Sequence, residues 1–425
     1  MKTIFSKLRL RILSLFLTAV VMIVGCCGCW SRVEIERMGF ISMVGVDRSG
    51  GELLVSFQIV NPRALSSEGA GGGGSEPSVF VLSVKARTIS EAMAKINQES
   101  PRSLHFKQLY AIVLGEDLGK QGILPVVDYF ARYWEIRRSI WVVTAKGSAQ
   151  EILLKGAPVQ ERVPGLAVRM LMERRERFAS TYYPVKLGNF LNSMSLEGSD
   201  ALAAAVSVRP MQEEKLGEGE EGKEEQGKKS QEQGEAIKTE EGKEIVFEGA
   251  GVFRGDKLTA YLGPHEVRGA LWVLGENQGS AYAVPSPSKG TWATLTTEKA
   301  SVRVSPVVDG DDITYKVDVE DRSYICYVVK EGLEILNPET LKVLEREKEK
   351  AVKRDIEAAV RRSQELHSDF LQLGDKLYRE HPEAWDKVKD DWREAWLPQV
   401  KVDINVSSKI ERTGTIDNPI SVRSP

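Results

Sequence analysis

At 425 residues the chain is longer than one small domain and can form two or three, and its 42% apolar content is ordinary for a globular protein. A formal net charge of −3 leaves no overall basic character, which argues against a nucleic-acid partner. The four cysteines (Cys26, Cys27, Cys29, Cys326) lack the spacing of a disulfide framework. The four histidines (His105, His265, His367, His381) are scattered, so neither a zinc constellation nor another cofactor is expected.

The N-terminus reads as an address. Lys2, Lys7, Arg9 and Arg11 precede an apolar run from Ile12 to Val24, and Gly25-Cys26-Cys27-Gly28-Cys29 follows. A positive flank, a short apolar stretch and terminal small residues make a secretory signal, with the apolar run shorter than the ~20 residues that span a bilayer. Ile23-Val24-Gly25-Cys26 has the form of a bacterial lipobox, in which a small residue admits the peptidase and the cysteine thiol accepts a diacylglyceryl group. Several acyl chains, at ~0.8 kcal/mol per methylene, then hold the protein to the membrane. The alternative is an uncleaved signal anchor over Ile12 to Trp30. In both cases the basic flank stays inside and the rest of the chain is exported and tethered.

Beyond the leader, residues 39–47 and 52–60 read as strands about a Ser-Gly-Gly turn. Residues 68–77 form a glycine-rich loop, followed by a strand over 79–84 and a helix capped by Thr88 or Ser90. The spacing then predicts strand at 109–114, helix at 124–133, strand at 139–144 and helix at 148–154, an α/β or α+β unit. Residues 211–244, rich in Glu, Lys, Gln and Gly, cannot bury enough apolar surface to offset their ordering entropy and read as a disordered acidic linker between two folded lobes. Strands follow at 245–253, 258–262, 300–308, 313–319 and 323–329, with Cys326 expected as a small core residue. Asn337-Pro338 opens a long helix with an apolar stripe of Leu341, Leu344, Val352, Ile356, Ala359, Val360 and Leu366. A second helical stretch covers 385–396, and 400–406 closes as a strand. The fold class is α+β, multi-domain, with mixed and antiparallel sheets packed with helices.

No nucleophile elbow, P-loop, zincin motif or dinucleotide fingerprint occurs. Trp385, Trp392 and Trp396, seven and four residues apart, share one helix face, which suits core or domain-interface packing better than a sugar platform. Arg132, Arg137 and Arg138 flank Trp134-Glu135 as either a partner-facing basic patch or an ion-pair network.

Gly28-Cys29-Trp30-Ser31-Arg32-Val33-Glu34-Ile35-Glu36-Arg37-Met38-Gly39-Phe40 resembles the opening of the Ger(x)C family of spore germination proteins. Further resemblance runs through 87–92, 114–116, 133–137, 250–258, 369–374, Tyr378-Arg379 and 385–392, in order along nearly the whole mature chain. The sequence departs from the family at Ser31, where aspartate is usual, at Gln108, near a common histidine, and in a longer acidic linker. Family alignment favours Cys29 as the lipidated residue, whereas the local lipobox favours Cys26. The resemblance implies a signal segment at 1–28, an N-terminal germination-protein domain at 29–208, a linker at 209–245 and a C-terminal domain at 246–425. It also implies a non-catalytic lipoprotein subunit of a nutrient-germinant receptor, lipid-anchored (palmitate-type chains) on the outer face of the spore inner membrane, with integral-membrane subunits as partners. An extracytoplasmic solute-binding lipoprotein is the alternative, needing a cleft with convergent polar groups; direct binding of a small molecule is left open. An envelope hydrolase would need a nucleophile or metal site.

Overall fold

The computed structural model describes residues 12–19, 22, 37–61, 64, 77–155, 161–174, 181–210, 243–277, 279–287, 290–310, 312–328 and 337–412. Cys26, Cys29, Ser31, residues 211–242 and nearly all of the glycine-rich loop lie outside the described residues. Residues 12–19 are helical with exposed side chains, and no described helix is long and apolar enough to cross a membrane.

A ten-stranded sheet organises the first two-thirds of the chain. Its members are β1 (Met38–Ser49), β2 (Glu52–Val60), β3 (Val79–Ala86), β4 (Ser103–His105), β5 (Ala111–Leu114), β6 (Trp141–Ala145), β7 (Val185–Lys186), β8 (Ala201–Pro210), β9 (Lys243–Arg254) and β10 (Lys257–Leu262). The order is β10-β9-β8-β6-β5-β1-β2-β3, with β4 beside the start of β1 and β7 beside β6. The central strands β1, β5, β6 and β8 run parallel, and hairpin partners flank them on both sides. β5 and β6 are buried throughout because helices cover both faces of the sheet.

On one face, α4 (Ala149–Lys155) and α5 (Pro164–Glu173) pack Ile152, Leu153, Val168 and Met172 against Met43, Val113 and Val143. On the other, α1 (Ile89–Glu99), α3 (Leu124–Arg132) and α6 (Leu187–Ser195) bring Ile96, Val127, Phe130 and Phe190 to Val44, Ile112 and Val142. The short helix α2 (Glu116–Gln121) follows β5. Thr88 caps α1, accepting from Glu91 N at 3.1 Å while Glu91 accepts from Arg87 N.

A second sheet has the order β11 (Ala281–Pro285), β12 (Trp292–Asp309), β13 (Asp312–Val328) and β14 (Lys401–Arg412). Its last pair, β13 and β14, is parallel, so the sheet is mixed rather than wholly antiparallel. Across it lies α8 (Pro338–Glu365), capped as expected: the Asn337 side chain accepts from Glu339 N at 2.9 Å and proline follows. α7 (Pro264–Val273) packs on α8 so closely that a Cβ on Gly269 would sit 2.0 Å from the Asp355 carbonyl oxygen. α9 (Leu373–Glu380) and α10 (Pro382–Val388) follow, then a tight 3-10 turn over Lys389–Asp391, a wide π turn over Trp392–Trp396 and a second 3-10 turn over Leu397–Gln399.

The residues of 211–242 stand between the N- and C-terminal parts of the chain, as expected, and connect β8 to β9, adjacent antiparallel strands, so that β9 and β10 complete the large sheet. Two expectations need revision. The two strands expected between 313 and 329 are one, because Asp321 in its middle is buried and bonded rather than solvated. Cys326 is exposed, not core: alternation along β13 turns Ile325 inward and Cys326 outward, its Sγ 3.0 Å from Thr296 Oγ1.

Candidate functional site

A groove of about 710 Å³ opens between α1, β4 and the end of α3. Its floor is set by Asn97, whose Oδ1 accepts from Leu104 N at 3.0 Å and so pins β4 to the end of α1. Its wall is aromatic: Tyr129 and Tyr133 lie 5.4 Å apart, Trp134 stacks on Tyr133 at 6.4 Å, and the buried Phe106 backs Tyr133 edge-to-face at 5.3 Å. Burial, aided by Tyr133, pushes the Tyr129 phenol up to about 12, and Tyr133 also rises through burial.

Glu135 points inward, its side chain 3% exposed. One oxygen lies 2.8 Å from His105 Nδ1 and the other accepts from Phe106 N at 2.9 Å, stitching the loop after α3 to the loop after β4. Trp134 points outward at 79% exposure. Arg137, Arg138 and Lys107 are exposed and form no ion pair among the described residues, whereas Arg132 pairs with Asp128 at 2.8 Å. Of the three arginines, then, one is in a local helix pair and two are open to solvent. What this arrangement can do is recognise: it offers cations, aromatic faces and a fixed His–Glu pair.

A second polar cluster fastens the two sheets' units together. Asp200, ahead of β8, accepts from Ser368 Oγ and Asp369 N at 2.9 Å each and from Arg393 Nη2 at 3.0 Å. Asp369 is fully buried and accepts from Leu373 N, Gly374 N and Trp392 Nε1 at 2.9, 2.6 and 3.0 Å. Burial outweighs these bonds and pushes its carboxyl up to about 6. Trp385 and Trp392 meet edge-to-face at 5.6 Å, and a Cβ on Gly198 (φ +62°) would come within 2.5 Å of Trp385. The expected interface role of these two tryptophans is therefore realised. The single helix is not: the segment breaks into α10, a 3-10 turn, a π turn and a second 3-10 turn, and Trp396 is only half-buried.

The buried face of α8 carries a third cluster that sequence patterning hides, since its members look like solvated charges. Lys348 Nζ lies 2.7 Å from Asp321 Oδ2, both side chains wholly buried, and donates to Thr297 Oγ1 at 2.9 Å and to Ser323. Burial draws the Lys348 ammonium below its ordinary value. Seven residues on, Asp355 bonds Arg268 and His265 at 2.9 and 2.7 Å and accepts from Tyr282 at 2.9 Å; burial raises that phenol strongly. No group of histidine, cysteine and carboxylate side chains among the described residues could hold a metal.

Residues 31–208 match the spore germination protein N-terminal domain, and residues 248–414 match the domain described as spore germination B3/GerAC-like, C-terminal. Spore germination protein KC of Bacillus subtilis (strain 168) is 26% identical over 398 residues, covering 92% of this chain and 94% of that protein. Spore germination protein B3 of the same organism is 24% identical, with 93% and 96% covered. The crystal structure of the GerBC protein superposes with a TM-score of 0.52 at 21% identity, over 87% of this chain and 96% of that one, a likeness of fold.

Proposed function

The chain belongs to the spore germination B3/GerAC-like family, and from that premise we propose that it is the lipid-anchored, non-catalytic subunit of a spore nutrient-germinant receptor. One observation carries the reading: a leader ending in a thiol cluster at Cys26 to Cys29 stands directly ahead of both germination domains. In this reading the leader exports the chain, Cys26 or Cys29 takes the acyl chains, and residues 29–208 and 246–425 work outside the membrane as surfaces for the receptor's integral-membrane subunits. The formed groove lined by Tyr129 and Tyr133 is the kind of surface such an interaction subunit needs.

Deletion of the gene tests this. Spores are expected to form normally and to lose their response to particular nutrients; normal germination to every nutrient, in a strain lacking close relatives of the protein, contradicts the reading. The solute-binding alternative has a definite place in the groove over His105 and Glu135. It requires that a germinant nutrient raise the melting temperature of the protein by itself, by an increment that grows with ligand concentration.

A further inference from the structure

We propose that the rim formed by Lys107, Trp134, Arg137 and Arg138 is a docking surface for a membrane rich in anionic phospholipid. The proposal rests on the lipid-anchor reading above and adds to it which face of the fold meets the bilayer.

Strand direction places the surface. β1, β5 and β6 are parallel, with Met43 opposite Ala111 and Ala111 opposite Trp141, so their starting ends lie together at one end of the sheet. β1 extends further toward that end, where Met38 to Phe40 pair with Ser103 to His105 of β4. The chain arriving from the leader therefore enters the fold beside β4. The loops before β5 and β6, which carry the four rim residues, sit at the same end and are joined through Glu135 and Phe106 N.

The tether is short. Eight residues lie between Cys29 and Met38, a contour of at most about 30 Å, or about 40 Å if the lipid is on Cys26. An anchored molecule thus keeps this end of the sheet near the bilayer.

The chemistry suits a headgroup layer. Residues 106–110 and 133–140 carry three cations, and their single acid, Glu135, is turned inward and bonded. A tryptophan 79% exposed amid unpaired arginines costs solvation in water but has an amphipathic ring suited to the depth of the headgroups. Cations close to an anionic bilayer each strengthen association about fivefold, and an acyl anchor benefits from a second, electrostatic signal.

The full-length chain in vesicles of phosphatidylcholine, with or without half phosphatidylglycerol and carrying brominated acyl chains, tests this. Bromine quenching of tryptophan fluorescence, taken as wild type minus Trp134→Phe, is expected with phosphatidylglycerol and absent without it. The docked-to-undocked ratio should fall about fivefold for each of Arg137→Gln and Arg138→Gln. Equal quenching in both lipid compositions, or none with phosphatidylglycerol, overturns the proposal; the second result is also what a purely proteinaceous partner for this face would give. Flotation keeps the two readings apart. A chain that floats with phosphatidylglycerol vesicles at low salt but not at 1 M salt contradicts the anchor and supports the docking surface. A chain that floats at 1 M salt without Trp134 quenching does the reverse.

Discussion

Asp369 shows how burial and hydrogen bonding compete at one residue. Three donors converge on its carboxylate, yet removal from water dominates and its carboxyl titrates near 6 instead of the ordinary 3.8. Between those values the folded chain binds more protons than the unfolded one, so this group's contribution is fully present at low pH and is lost as pH rises through about 6. Relative to an Asp369→Asn chain, the wild type is expected to lose about 2 to 3 kcal/mol of unfolding free energy between pH 4 and pH 7, measured by urea denaturation across that range. The buried Lys348–Asp321 pair gives a second prediction. Lys348→Met strands a carboxylate that has no surface and already holds one unbonded oxygen, at a cost of about 3 to 5 kcal/mol. Lys348→Met combined with Asp321→Leu should recover most of that loss in the same assay. The Lys348–Asp321 and Asp355 pairings were not legible in the sequence, because Lys348 and Asp355 lie outside the apolar stripe read for α8. Their partners come from strands and helices tens of residues away, which periodicity along one helix does not reveal.

Elements with strong local signals were legible, and those decided by tertiary packing were not. The Asn337-Pro338 start of α8 and the Thr88 cap of α1 appear where their chemistry places them. β8 went unrecognised because Ala201 to Ala205 is built from the best helix former. It is a strand because small side chains fit a sheet crowded on both faces. α5 and α6 were missed too, being short and placed by the sheet they cover. β12 begins eight residues before its expected start, its bulges at Thr294/Leu295 and Thr297/Lys299 having broken the alternation. The segment over 211–242 connects strands already held in register, so replacing it by a loop a quarter as long should leave the fold intact. Two halvings of loop length are worth about 1 kcal/mol of added stability, readable as a higher urea midpoint at unchanged slope; a lost transition would mean that the segment itself supports the fold.

At the scale of the molecule, one end of the large sheet gathers the features that matter. The chain first enters the large sheet there, the Trp134 rim and its groove lie there, and Asp200 stands just ahead of β8 there while gripping Arg393 and Asp369 of the following unit. Of this, the arginines around Trp134-Glu135 were visible in the sequence, but His105, the partner of Glu135, lies thirty residues earlier and carried no signal of its own. The account as a whole depends on what is attached at the start of the mature chain. Mass spectrometry of the N-terminal peptide of the protein purified from spore membranes, with its co-purifying partners, tests this most directly. The expected result is a leader cut before Cys26 or Cys29, a diacylglyceryl mass on that thiol and integral-membrane germination proteins in the same fraction. An intact leader carrying no acyl group, on a chain recovered alone from the soluble fraction, would contradict it.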